Sequence, residues 1–329
     1  MNRLIMKYLL NGILLCAAAA MMISCDKNAL FPKDSEEDRV SLMVSAAQPG
    51  NGTKSLSARD ENSIRNITVY VFDTDGSVNA VEYGEGKSTI LKVRPLPKQH
   101  VRVLVNTTAP MDGFESMAEL EKAVLKLSDQ KEILSMFGSE DNVDLSKADN
   151  LQISVRRHAA KVQIHSISNC TGQDFTIRSV FLINVPVSAS CMNPVTPPGE
   201  WTNRMRDEKD SAYSELLRDD VNIILDNGRF YNYTHTFYCF PNDTDEDIHN
   251  GTWSPRHTRL VVETQMNGRI FYYPMPLDNV KSNTEYIIRE LEISRDGTLS
   301  PDDDDVSKIR FTFTVDDWDQ NELSYVEKI

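Results

Sequence analysis

Six histidines, His100, His158, His165, His235, His249 and His257, are the side chains best able to move protons or hold a metal. None falls in HxxH or HExxH spacing, in which two imidazoles on one helix face share a zinc ion. His165 and His235 sit in alternating, strand-like stretches, where a surface or internally satisfied imidazole is expected. Serine is plentiful, but there is no GxSxG elbow to expose a nucleophile. No glycine-rich phosphate loop occurs. The acidic run Asp302 to Asp305 could attract Ca²⁺ through carboxylate oxygens, yet it lacks the spacing and the closing glutamate of an EF-hand loop. It reads as a solvated loop between strands. Cys170, Cys191 and Cys239 match no zinc pattern. Isolated cysteines on strands are usually buried thiols, and a Cys170–Cys191 bridge is the alternative in an oxidising compartment. Trp201 and Trp253 fall in loop-like stretches, where an aromatic ring can grip a sugar or cap a core. These residues predict no catalytic constellation, no metal and no cofactor.

Cys25 is different, because its chemistry comes with context. Arg3 and Lys7 precede an apolar stretch from Tyr8 to Met22 that is broken only by Asn11 and Gly12. That stretch is short for a membrane span and reads as a secretory signal. Met22-Ile23-Ser24-Cys25 resembles a bacterial lipoprotein box, with methionine where leucine is usual. The expectation is a signal peptide over 1–24, a lipidated (palmitate-bearing) Cys25 and a polar tether over 25–38. No later stretch is apolar enough to span a bilayer. The whole chain has 329 residues and a formal charge of −14. Without the leader, 33 basic residues face 49 acidic ones, or −16. That balance argues against nucleic acid, which needs basic surface to displace counterions, and favours solubility.

The elements that would position any site are mostly strands. In "RVSLMVSA", Val40, Leu42, Val44 and Ala46 share one face. A Gly- and Ser-rich exposed loop follows, "AQPGNGTKSLSARDENS", carrying Lys54 and Arg59, with Arg65 just beyond. "NITVYVFDTDG" is a strand ending in an Asp-Gly turn, and "STILKVRPLP" and "VRVLVNT" are further strands. One helix interrupts them: Phe114, Met117, Leu120, Val124 and Leu127 recur at helical spacing, with Asp112 and Glu115 fitting a capping box. The Arg156-Arg157-His158 break divides the remainder, giving an expected domain over 39–156 and a second over 157–329. The second is nearly all strand, with irregular excursions near 193–210 and 243–255. Many short strands between turn signals predict β-sandwiches, not a parallel sheet. The last stretch, "FTFTVDDWDQNELSYVEKI", ends on two strand-like segments. Leu323, Tyr325 and Ile329 share a face in the second, interrupted by Glu327.

The order of these pieces carries a likeness. A lipobox, "VSLMVSA", "ITVYVFD", "VRVLVNTTAP", "ELEKAVLKL", "RRHAAKVQI", "TRLVVE", "YYPMPL", "NTEYIIRELEIS" and "FTVDDWD" follow one another. This resembles the fimbrillins, the major fimbrial subunits of Bacteroidales type V pili. The resemblance implies two transthyretin-like β-sandwich domains in tandem, mainly β, with one short helix in the first. It implies export to the outer membrane as a lipoprotein, cutting by a trypsin-like protease, and loss of the first strand with Val40, Leu42 and Val44. A C-terminal strand with Leu323, Tyr325 and Ile329 would then enter the vacated groove of the next subunit. Arg59, in the more polar context, is the first choice for the cut and Lys54 the second. The partners implied are further copies of the chain, related fimbrial subunits, the protease and the membrane reached through lipid; the adhesion receptor is left unspecified. An anchor or tip subunit of the same fimbria, or a surface lipoprotein gripping glycans through Trp201 and Trp253, are the other readings.

Overall fold

A computed structural model describes residues 39–48, 61–108, 111, 113–192, 201–202, 216–244, 256–303, 310–318 and 324–328, the last five and residue 202 by their backbone alone. Cys25, Lys54, Arg59, Asp112, Trp253, Leu323 and Ile329 lie outside these residues, as do the leader and the tether. In chain order the first strands are β1 (Val40–Ala47), β2 (Asn66–Phe72), β3 (Val78–Glu85), β4 (Ser88–Val93) and β5 (Gln99–Val105). The short helix α1 (Met117–Leu120) leads into β6 (Val124–Lys126), a 3₁₀ turn, β7 (Met136–Val143), β8 (Asn150–Ser154) and β9 (Arg156–Arg157). Then come β10 (Ala160–Asn169), β11 (Phe175–Ile183), β12 (Val185–Pro186), β13 (Ser188–Ser190) and β14 (Trp201–Thr202). The chain continues through β15 (Arg218–Leu225), β16 (Phe230–Cys239), β17 (Thr258–Met266), β18 (Arg269–Leu277), β19 (Thr284–Ile293), β20 (Arg310–Asp317) and β21 (Ser324–Lys328).

These strands build two β-sandwiches in tandem. In the front one, a three-stranded sheet β4-β1-β8 covers a five-stranded sheet β3-β2-β5-β7-β9. Leu42, Val44, Ile67, Val69, Val103 and Ile153 meet in the core between them. In the rear one, β16-β10-β19-β20-β21 faces β15-β11-β17-β18. Its larger core reaches forward to Tyr70, Phe72 and Leu104. That sharing explains why β2 reads as an almost unbroken apolar run: Ile67, Val69 and Val71 point into the front core, while Tyr70 and Phe72 point into the other. The Tyr70 and Phe72 rings stack with their centres 5.4 Å apart along that second face. β10 keeps its inward face through a bulge, which shifts the register between Ile164 and Ser166 so that Ile167 again points inward.

The helix is shorter than the apolar spacing predicts. Ser116 is its N-cap and accepts from the Glu119 amide, while a Glu119 carboxylate oxygen accepts from the Glu115 amide. After Ala123 the backbone leaves the helix because β6 pairs with β13, Leu125 opposite Ala189. Val124, expected on the buried stripe, is 59% exposed, and Leu125 takes its place inside.

The start of the acidic run is not the solvated loop expected; Asp304 and Asp305 lie outside the described residues. The Asp302 side chain is only 7% exposed, with its carboxylate 2.8 Å from Arg256 Nη1. Arg256 and Arg259 are both fully buried, and their guanidiniums donate to the Asp302 and Asp303 carbonyls at 3.0 and 2.7 Å. Two interior cations thus hold the start of that run to the rear sandwich. Such charges are tolerated inside only when paired and hydrogen-bonded.

Candidate strand-exchange site

β1 occupies the middle of its sheet. It runs antiparallel to β4, with Leu42 opposite Leu91, and parallel to β8, with Val44 opposite Leu151. Ordinary strand alternation puts Leu42 and Val44 at zero exposure and Ala46 at 5%, while Val40, on the same face at the strand's start, is 39% exposed. Backbone bonds beyond the ladder fasten both ends: Met43 donates to the Asp149 carbonyl at 3.1 Å, and Ala47 accepts from the Val155 amide at 2.8 Å. On the outer face Lys92 Nζ donates to Ser41 Oγ at 2.8 Å. Close approach of the covering sheet depends on Gly138 in β7. A Cβ there would sit 2.4 Å from the Ser154 carbonyl oxygen, so any larger residue would push β8 outward.

β21 is placed differently. Among the described residues it pairs with β20 alone, antiparallel, with Val326 opposite Phe313 and Tyr325 opposite Thr314. It is the edge strand of its sheet. β20 beneath it is core: Phe311 and Phe313 are 7% and 5% exposed, and Phe313 stacks on Tyr286. β1 and β21 lie on separate sheets of separate sandwiches.

Two stretches singled out in the sequence do come together. "RRHAAKV" supplies Arg157 and Lys161, and "TVDDWD" supplies Trp318. Between them lies Glu61, the first described residue after the stretch that carries Lys54 and Arg59. Glu61 is 8% exposed. Its carboxylate accepts from Tyr238 Oη at 2.6 Å, from Trp318 Nε1 at 3.2 Å and from Lys161 Nζ at 3.2 Å. Its carbonyl accepts from Arg157 Nε at 3.1 Å. Arg157 lies 4.4 Å from the Trp318 ring centre, and Tyr238 stacks on the Trp318 ring with centres 5.9 Å apart. Lys161 is shared with Glu285 at 2.9 Å. Sequence reading took Glu61 as part of an exposed loop. The signal that could have found it is the presence of two cations and a tryptophan in otherwise apolar strands, which call for an acidic partner.

The remaining candidates are structural. His158 is buried, with Nε2 2.8 Å from the Cys191 carbonyl and Nδ1 3.1 Å from Ser135 Oγ, and burial holds its pKa below the usual imidazole value. His235 is buried with Nδ1 2.8 Å from Asp219 Oδ2. Cys170 is exposed; Cys191 and Cys239 are buried thiols pushed up to about 12 by loss of water. Trp201, expected in a loop, is in β14 opposite Pro186 and only 7% exposed. Among the described residues no group of three or more His, Cys, Asp or Glu side chains is arranged to hold a metal.

Residues 39–173 match the family model described as major fimbrial subunit protein (FimA). Over that span, a little under half of the chain, the sequence is similar to the fimbrillin family. Solved structures extend the likeness of fold to both sandwiches. A fimbrilin from Porphyromonas gingivalis aligns with a TM-score of 0.62 at 13% identity, covering 86% of this chain and 99% of that one. A candidate cell adhesion protein from Bacteroides eggerthii aligns at 0.64 with 17% identity, over 85% and 96%. The tip fimbrial protein Mfa3 from P. gingivalis, truncated at its C-terminus, aligns at 0.55 with 12% identity, over 85% and 100%. No curated protein matches the sequence. The matching family model describes structural subunits of fimbriae.

Proposed function

We propose that this chain is a fimbrial stalk subunit that polymerises by strand exchange. It is carried to the outer membrane on a lipid at Cys25. A trypsin-like protease cuts the loop upstream of Glu61, at Arg59 or Lys54, and β1 leaves. A segment at the C-terminal end of another copy, containing Leu323, Tyr325 and Ile329, fills the groove. One observation carries the reading: β1 is a central strand and β21 an edge strand. A vacated centre leaves two unpaired backbone rows and an apolar trench, both costly in water. A strand leaving an edge gives up one ladder, and the groove offers it two. The exchange is therefore favoured in one direction, and the fibre grows because each subunit has one of each part.

Sequencing the N-terminus of subunits from assembled fibres tests this. A chain starting at residue 55 or 60 fits the proposal; one still starting at Cys25 rules out processing in the stalk and leaves the anchor reading, in which lipid and β1 are both kept.

A further inference from the structure

Arg65 raises a question that the proposed processing does not answer. It is basic and exposed, only four residues past Glu61, and the next residue, Asn66, opens β2. A cut there would free the entry to a strand that serves both cores. Yet a trypsin-like enzyme recognises Arg65 as readily as Arg59 by its side chain. Proteases cut segments that can leave the body of the protein, so what matters is how residues 61–65 are held. Upstream, the Glu61 carboxylate is tied to Lys161, Tyr238 and Trp318, three residues of the rear sandwich far away in sequence. Downstream, the Arg65 amide donates to Asn106 Oδ1 at 2.8 Å, and Asn106 Nδ2 donates to the Ser63 carbonyl at 2.7 Å.

We propose that Glu61 is the stop for processing: its clamp onto Lys161, Tyr238 and Trp318 keeps residues 61–65 out of a protease's cleft and confines cutting to the loop before it. The inference rests on the reading that this loop is cut. The clamp also holds Trp318, the last described residue before the segment leading to β21. One buried carboxylate thus fastens the chain next to both exchanging strands, so that either can leave without loosening the sheets behind it.

The test is limited trypsin digestion of the chain starting after Cys25, with new N-termini read by mass spectrometry. Wild type should accumulate chains starting at 55 or 60 and resist at Arg65. Glu61→Ala should release chains starting at Asn66 about tenfold faster or more, because several charge-assisted bonds are lost. Tyr238→Phe, which deletes one hydroxyl and leaves the stack on Trp318, should give a smaller increase and serves if Glu61→Ala does not fold. Amide hydrogen exchange at 63–66 should quicken in the same order. Folded variants that resist at Arg65 and exchange at the wild-type rate overturn the clamp. Wild type left uncut throughout 49–60 overturns the processing reading instead, and the Arg65 comparison still decides the clamp.

Discussion

β1 and β21 are both short strands near stretches of polar chain, yet they are bound in opposite ways. β1 has a neighbour on each side and sends Leu42 and Val44 to zero exposure in the front core. Among the described residues β21 has one neighbour, β20, which sends Phe311 and Phe313 into the rear core. The front sandwich is thus built so that a strand is needed in its centre, and the rear sandwich so that a strand can be spared from its edge. In the proposed exchange, that difference in the number of ladders would set the direction of the polymer.

The largest expected effect comes from emptying the groove. A chain beginning at Glu61 lacks β1 and exposes the trench that Leu42 and Val44 fill. At about 1.5–3 kcal/mol for each large side chain, the front sandwich should lose roughly 3–6 kcal/mol, before counting unpaired backbone. Calorimetry should show it melting ahead of the rear sandwich, and a peptide of residues 39–48 should restore it. A single unchanged transition would remove the contrast between the two strands. Next in size, Leu42→Ala should cost about 2–5 kcal/mol in the uncut subunit through the cavity it leaves, whereas deleting 324–329 should move the melting midpoint by no more than about 2–4 °C. Equal losses would mean that β21 is as firmly built in as β1.

A smaller effect sharpens the comparison at the seam between the sandwiches. His158 joins Ser135 of the front to Cys191 of the rear, and burial depresses its pKa. The unfolded chain therefore takes up a proton near pH 6.5 that the folded chain refuses, so stability is full above that pH and falls as the pH drops below it, by about 1.4 kcal/mol per pH unit at most. His158→Gln should flatten that fall in urea titrations between pH 7 and 5. His165, also depressed by burial, keeps part of the slope. An unchanged slope would show that His158 is not the proton site. Least of all in energy, thiol labelling at pH 8 should modify Cys170 quickly and Cys191 and Cys239 only on unfolding, since their burial holds both as thiols.

Much of this was legible because strand alternation is local. Leu42, Val44 and Ala46 could be assigned to one face from spacing alone, and the run at β2 announced a strand buried on both sides. What failed was decided at a distance. Val40 keeps the right parity but lies at the strand's start, where the core no longer covers it. Val124 keeps helical spacing, but pairing with Ser190 pulls it into a strand and turns it outward. Asp302 looked like solvated acid because Arg256 and Arg259 are more than forty residues away in sequence. Glu61 looked like loop for the same reason, its partners lying 100, 177 and 257 residues on.

The central claim is that a central groove in one copy is filled by the edge segment of another. Mixing two purified forms tests it most directly: subunits nicked in the loop of residues 49–60, and nicked subunits lacking 324–329. The first alone should give a ladder of SDS-resistant multimers, the second alone none, and the mixture chains that stop wherever a truncated copy has joined. A full ladder from the truncated form, or from subunits never nicked, would contradict the account.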